Sequence, residues 1–238
     1  PAARRPTSRD AATRVPRATY RVQLNARFTF RDAQALVPYL ARLGISDLYT
    51  SPFLRARPGS THGYDIIDHA ALNPEIGTRE EFDVLVEALH AHGMGMLVDI
   101  VPNHMGVMGA DNAWWLDVLE NGPASIYADH FDIDWQPASP DLADRVLVPV
   151  LGDHYGAVLG RGELKLAFDA DRGVFSVRYW QHRFPVDPRE YPRVLDAAVR
   201  ALPESAVPAD ALAELKNVVS AFGYLPERSE RAADRRME

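Results

Sequence analysis

Five residues in the first half of the chain carry side chains that could do chemistry. Tyr64 and Asp65 sit together in a Gly63-Tyr64-Asp65 triplet, while Asp99, Asn103 and His104 close an apolar run. An aromatic face for the apolar side of a sugar ring, with carboxylates and amides to grip its hydroxyls, is what a carbohydrate site needs. Each residue also has a plainer use: Tyr64 could pin its own loop to a rim, and Asp99 could only anchor the loop that follows it. A carboxylate at the end of a buried strand is costly unless it is paired or hydrogen-bonded, so Asp99 should have partners. His62, Asp65, Asp68 and His69 invite comparison with a metal cluster, but their spacing matches no ligand pattern and loop capping accounts for them better. No metal or other cofactor is expected.

The elements that must position these residues follow from periodicity. Met94 to Val101 reads as a buried parallel strand: it is rich in branched aliphatics, too short for a helix, and preceded by a helix that stops at Gly93. Pro102 lacks the donor needed to continue pairing, so Asp99 on the strand, with Asn103 and His104 just beyond, falls at its carboxyl end. Ligand sites of parallel α/β sheets and barrels lie there. Upstream, Ala18 to Leu24 makes a first strand, and Leu36, Tyr39, Leu40 and Leu43 recur on a helix from about Arg31 to Leu43 capped by Gly44. Ile45 to Thr50 is a second strand, and Phe53 to Gly77 a long loop without clear period, of the kind that tends to be functional. Thr78 with Glu81 forms a capping box for a helix burying Phe82, Leu85, Val86 and Leu89, with His90 and His92 in its last turn in a structural role. Three strands and two helices in this order predict the first part of a (β/α)8 TIM barrel or an open doubly wound sheet.

The rest of the chain changes character. Residues 105–187 hold Trp114, Trp115, Trp135 and Trp180 and short β-like runs at Arg145 to Leu151, Leu164 to Phe168 and Val174 to Trp180. They read as an irregular and antiparallel insertion whose tryptophans mostly form a small core. Pro188 to Leu202 and Pro208 to Phe222 return to helical spacing, with Pro208 suited to a first turn. The expected organisation is a mobile tail at 1–17, three βα units at 18–104, the insertion at 105–187, and helical segments returning toward the barrel at 188–238. A net charge of −7 without a basic stripe argues against nucleic acid. The absence of cysteine removes disulfides and thiolate chemistry. Apolar runs too short to cross a bilayer and no signal core make membrane association unexpected and the cytoplasm the default.

Two segments carry a family resemblance. Asp99-Ile100-Val101-Pro102-Asn103-His104 resembles the first signature region of the α-amylase superfamily, glycoside hydrolase family 13, and Gly63-Tyr64-Asp65 resembles its sugar-binding element after the second strand. Ser60 to Asp65, Asn112 to Glu120, Tyr127 to Trp135, Leu147 to Gly156 and Tyr179 to Val186 are similar to the malto-oligosyltrehalose synthase family within it. This resemblance spans roughly residues 18–195. It implies a (β/α)8 barrel with an insertion after strand three, acting on maltooligosaccharides and converting the reducing-end α-1,4 linkage to an α,α-1,1 linkage. By the family pattern Tyr64 would stack on the sugar, Asp65 would bind its hydroxyls, His104 would hydrogen-bond the same ring, and Asp99 and Asn103 would hold the rim. The family's nucleophile and acid/base carboxylates, which retaining chemistry requires, have no counterpart before Glu238 and are expected beyond it. An N-terminal portion of such an enzyme would be inactive alone and would expose strand edges prone to aggregation. Another amylase or glucanotransferase of the same superfamily, and a non-catalytic glucan-binding module, are the alternatives.

Overall fold

The structure, a computed structural model, describes residues 15–203 and 208–226. Most of the expected N-terminal tail and the charged C-terminal residues lie outside the described residues. The chain divides into two compact units, Pro1–Gly106 and Val107–Glu238.

The first unit runs β1 (Thr19–Val22), α1 (Phe30–Leu43), β2 (Asp47–Thr50), β3 (Leu54–Ala56), β4 (Ile66–Leu72), α2 (Arg79–Ala91) and β5 (Gly95–Val98). Its sheet has the order β1-β2-β5, both pairs parallel, with Arg21 opposite Tyr49 and Tyr49 opposite Leu97. Each helix starts at a capping box, Thr29 with Asp32 and Thr78 with Glu81, which satisfies amide groups that the first turn leaves without partners. Gly44 closes α1 in the left-handed conformation, its N–H directed to the carbonyls of Leu40 and Ala41.

Side chains alternate across a strand, so Val22 and Leu48 share one face and Arg21 and Tyr49 the other. The first face is the core. Phe30, Val37 and Leu40 of α1 and Leu85 and Leu89 of α2 pack against it, and Phe30, Phe53 and Phe82 meet with ring centroids 5.2–5.8 Å apart. The opposite face carries Arg21, Tyr49 and Leu97 in register.

Several expectations need correction. The buried stripe of α1 is Phe30, Ala33, Val37 and Leu40, spaced three and four apart on one helix face, whereas Tyr39 and Leu43 fall round the helix from it and are exposed. The third parallel strand ends at Val98, and Asp99 lies one residue past it, its N–H still bonded to the Thr50 carbonyl at 3.1 Å. This strand is not buried. It is an edge strand of the described sheet, and Leu97 and Val98 are exposed. The stretch from Phe53 to Gly77 is not a plain loop: β3 and β4 pair antiparallel within it, with register shifts that erase any simple alternation.

The second unit holds α3 (Ala113–Asn121), α4 (Tyr155–Gly160), β6 (Lys165–Asp169), β7 (Val174–Tyr179), β8 (His182–Pro185), α5 (Tyr191–Ala201) and α6 (Ala209–Phe222). β6, β7 and β8 form an antiparallel sheet in that order, as the turn at Gly173 and the β-rich runs predict. Arg145 to Leu151 forms no strand, and α3 is a helix that the sequence reading did not separate from irregular structure. Its start is set by Asn112, whose side-chain oxygen accepts the Trp115 N–H at 3.0 Å. Trp135 is buried with Val118 and Ala128, Trp115 packs on that cluster, and Trp114 stacks on Tyr127. Trp180 departs from the pattern: it is 76% exposed at the β7–β8 turn with φ of 50°. Tyr191 on α5 meets both Phe175 of β7 and Phe222 of α6. Pro208 stands at the N-cap of α6 rather than in its first turn.

Candidate functional site

The face of the parallel sheet away from the core carries an arginine and a tyrosine in register. Because Arg21 and Tyr49 are partners on neighbouring parallel strands, they project to the same side, and the Arg21 guanidinium stands 5.4 Å from the Tyr49 ring centroid. Asp99, just beyond the end of β5, reaches the same place. Its Oδ2 accepts a hydrogen bond from the Tyr64 hydroxyl at 2.6 Å and a long one from the Tyr49 hydroxyl at 3.4 Å, and lies 3.6 Å from Arg21 Nη2. The Asp99 side chain is only 18% exposed, and these partners supply what a largely desolvated carboxylate requires.

Tyr64 is delivered to Asp99 by the loop between β3 and β4. Gly63 turns with φ of 78°, and a Cβ there would stand 2.4 Å from the Pro52 carbonyl oxygen, so only glycine lets the loop lie this close to the end of β2. The Tyr64 N–H donates to His62 Nδ1 at 3.0 Å, which places the proton of a neutral His62 on Nε2, and the two rings stack at 6.0 Å. Gln23, two residues after Arg21, donates to the carbonyls of Thr61 and His62 and accepts from Arg21 Nη1 at 3.1 Å. Arg21 also donates to the Tyr64 hydroxyl at 3.1 Å. The end of β1 therefore braces both the loop and the phenol. Tyr64 is pushed above the usual tyrosine range, chiefly by its hydrogen bond to Asp99 and next by burial, with Arg21 acting the other way.

The five residues expected at the site divide. Tyr64 and Asp99 are brought together. Asp65 faces inward to its own loop, where its carboxylate accepts from the Ser60 hydroxyl, which in turn accepts the Gly63 N–H. Asn103 and His104 are exposed and pair with each other, His104 Nδ1 lying 3.2 Å from Asn103 Oδ1, and neither hydrogen-bonds to Tyr64, Asp65 or Asp99. Their segment is nevertheless held beside the loop, since the Gly106 N–H donates to the Ile66 carbonyl at 2.7 Å. Among the described residues no group of three or more His, Asp or Glu side chains could hold a metal ion.

Arg21, Gln23 and Tyr49 escaped the sequence reading. The signal was present as alternation: in Tyr20-Arg21-Val22-Gln23-Leu24 every second residue is polar, marking a strand whose second face meets something other than core. Arg21 and Tyr49 meet a carboxylate far away in sequence and Gln23 meets the carbonyls of Thr61 and His62, and alternation says nothing of either.

Tyrosine rings, a cation and one carboxylate are gathered where the parallel strands end, in an α/β unit of the TIM-barrel type. Residues 34–151, just under half of the chain, match the family model described as Alpha amylase, catalytic domain. A Mycobacterium tuberculosis relative named as a maltooligosyl trehalose synthase is 49% identical over 141 residues, covering 56% of this chain and 18% of that protein. The structure of maltooligosyltrehalose synthase from Arthrobacter ramosus superposes with a TM-score of 0.62 at 44% identity, covering 72% of this chain and 21% of that one. An intracellular maltogenic amylase of Bacillus subtilis is 38% identical over 117 residues, covering 48% of this chain and 19% of that protein. The chain thus spans about a fifth of the length of the relatives it matches. Among the described residues no helix is long and apolar enough to cross a membrane.

Proposed function

We propose that this chain supplies the substrate-gripping rim of an enzyme that converts the reducing-end α-1,4 linkage of a maltooligosaccharide to an α,α-1,1 linkage by intramolecular transglucosylation. In this reading β1, β2 and β5 are the first three strands of a (β/α)8 barrel, and the second unit begins as an insertion after the third. The observation that carries it is the extent of the likeness. In sequence, the Mycobacterium tuberculosis relative matches 56% of the chain at 49% identity, more than the first unit contains, whereas the maltogenic amylase matches 48% at 38%. A general amylase or glucanotransferase accounts for the barrel strands but not for the longer likeness.

The geometry supports particular roles. Tyr64 keeps a ring face exposed for a glucose ring while its hydroxyl is occupied by Asp99 and Arg21, so it stacks rather than reacts. Asp99 holds the rim, as a residue spent on Tyr64 and Arg21 would. Asp65 and His104 grip sugar hydroxyls once their present contacts, Ser60 and Asn103, give way or are shared. Retaining transfer needs a nucleophile and a general acid/base about 5 Å apart, and the proposal places both in polypeptide beyond Glu238. An isomerase must also keep water out while the freed end turns round.

The test expresses the complete reading frame that contains this chain and incubates the product with maltohexaose. Loss of reducing ends without release of shorter sugars, with the α,α-1,1 anomeric proton signal growing in step, supports the proposal. Release of shorter maltooligosaccharides instead supports the amylase reading. Binding without any turnover supports a glucan-binding module and ends the enzyme reading.

A further inference from the structure

The second unit contains a cavity of about 390 Å³ between α3 and the β7–β8 hairpin. That volume lies within the range of small-molecule sites. Its walls include Asp117 and Glu120, one turn apart on α3, Arg172 from the turn before β7, Phe175 on β7 and Arg183 on β8. Asp117 is already engaged, accepting from the Ser125 hydroxyl and from Asn121 Nδ2 at 3.3 Å. Glu120 and Arg183 are not. Arg183 Nε is closed off from solvent with no hydrogen-bond partner, and Glu120 makes no hydrogen bond or ion pair among the described residues.

Glu120 stands without a partner on one wall of the cavity while the Arg183 side chain lines another, and a half-buried charged acceptor left open is unusual, since buried polar groups in native structures nearly always find partners. The two groups feel each other's field without touching: burial and then Asp117 push the Glu120 carboxyl up, and Arg172 and Arg183 pull it down. The lining carries both signs, so neither an anion nor a cation is favoured by charge. A molecule that donates to the carboxyl, accepts from the guanidinium and lays C–H bonds on an aromatic ring matches the lining.

We propose that this cavity binds a neutral saccharide ring, two adjacent hydroxyls of which bridge the Glu120 carboxyl and the Arg183 guanidinium while Phe175 receives the apolar side of the ring. The site shares no residue with the Tyr64–Asp99 cluster and does not depend on the function proposed for that cluster. The sugar bound here is a small effector, or one end of a longer glucan held away from the barrel rim.

The experiment labels the product of the complete reading frame that contains this chain with fluorophenylalanine, titrates it with glucose, maltose and trehalose, and follows the fluorine signal of Phe175, assigned by its loss in Phe175→Leu, with that of Phe30 in the first unit as the comparison. At least one sugar should shift the Phe175 signal saturably. Glu120→Gln and Arg183→Met should each weaken that binding by about tenfold or more, the effect of losing one hydrogen bond to a charged group. Ala113→Leu, which narrows the cavity and removes no polar group, should weaken it as well, so the proposal remains testable if Arg183→Met does not fold. Near-ultraviolet circular dichroism reports whether each variant keeps its packing. Three results overturn the proposal: no saturable shift at the cavity with any sugar, which leaves only water there; shifts that survive Glu120→Gln and Ala113→Leu in folded protein; or stronger binding of glycine than of any sugar, which marks a site for a zwitterion.

Discussion

The Tyr64 hydroxyl stands 2.6 Å from Asp99 Oδ2, joining residues 35 positions apart and tying the loop after β3 to the end of β5. Ionising the phenol would set a phenolate against a carboxylate, which is why its pKa is raised by Asp99 and held back by Arg21. Asp99→Asn should therefore lower the pH at which one tyrosine ionises, and Arg21→Met should raise it. The measurement is phenolate absorbance against pH, with Tyr64→Phe identifying the affected group. If Asp99→Asn leaves the titration of Tyr64 unchanged, the contact does not exist in solution.

Tyr64→Phe keeps the stacking face and removes the bond to Asp99. That bond is partly exposed and worth on the order of 1 kcal/mol, so the fold should survive with its unfolding midpoint lowered by only a few degrees. Turnover of maltohexaose by the complete reading-frame product should fall about tenfold, because a loosened ring loses orientation. Asp65→Asn is the informative change at the neighbouring position. It retains an acceptor for Ser60 and so keeps the loop, whereas Asp65→Ala would disturb Gly63 through the same hydroxyl. A heavy loss of turnover in folded Asp65→Asn supports a role in gripping sugar, and unchanged kinetics refute it.

Gly63 and Gly59 make a controlled pair in one loop. Both have φ near 77°, but a Cβ at Gly63 meets the Pro52 carbonyl oxygen at 2.4 Å while a Cβ at Gly59 meets nothing within 4 Å. Gly59→Ala should cost only the left-handed conformation, about 1 kcal/mol. Gly63→Ala adds a collision with backbone and should cost at least about 2 kcal/mol, read from denaturant unfolding of the first unit. Equal effects would mean that the loop does not sit against β2.

Glu120 gives the second unit a pH dependence of defined sign. Its folded pKa is raised above the ordinary value of 4.5, first by burial and then by Asp117, so between the two values the folded state holds a proton that the unfolded state has released. The stability this contributes is complete below the unfolded pKa and is lost as pH rises through the folded one. Glu120→Gln does not titrate. It should unfold at a higher temperature than the parent at neutral pH, with the difference shrinking as the solution is acidified through the carboxylate range. A difference that grows on acidification contradicts this sign.

What could be read from the chain without coordinates was what neighbours in sequence decide. The Thr78–Glu81 capping box, the Gly44 stop and the apolar stripe of α2 depend on residues within a few positions of each other, and the structure contains all three. The pairing of Tyr64 with Asp99 was not legible in that way, although both residues stood out singly. Their meeting depends on two parallel crossovers that set Arg21 beside Tyr49 and bring β5 alongside. Likewise β4 was hidden because Ile66 and Ile67 are both buried beside a shifted register, and the rotation of α1 was hidden because Leu36, Tyr39 and Leu43 repeat at the same period as the residues that are buried. Periodicity states that a face exists. Which side chains occupy it, and which distant charge meets Arg21, is settled only when the strands close on one another, because those energies belong to contacts that adjacent residues cannot make.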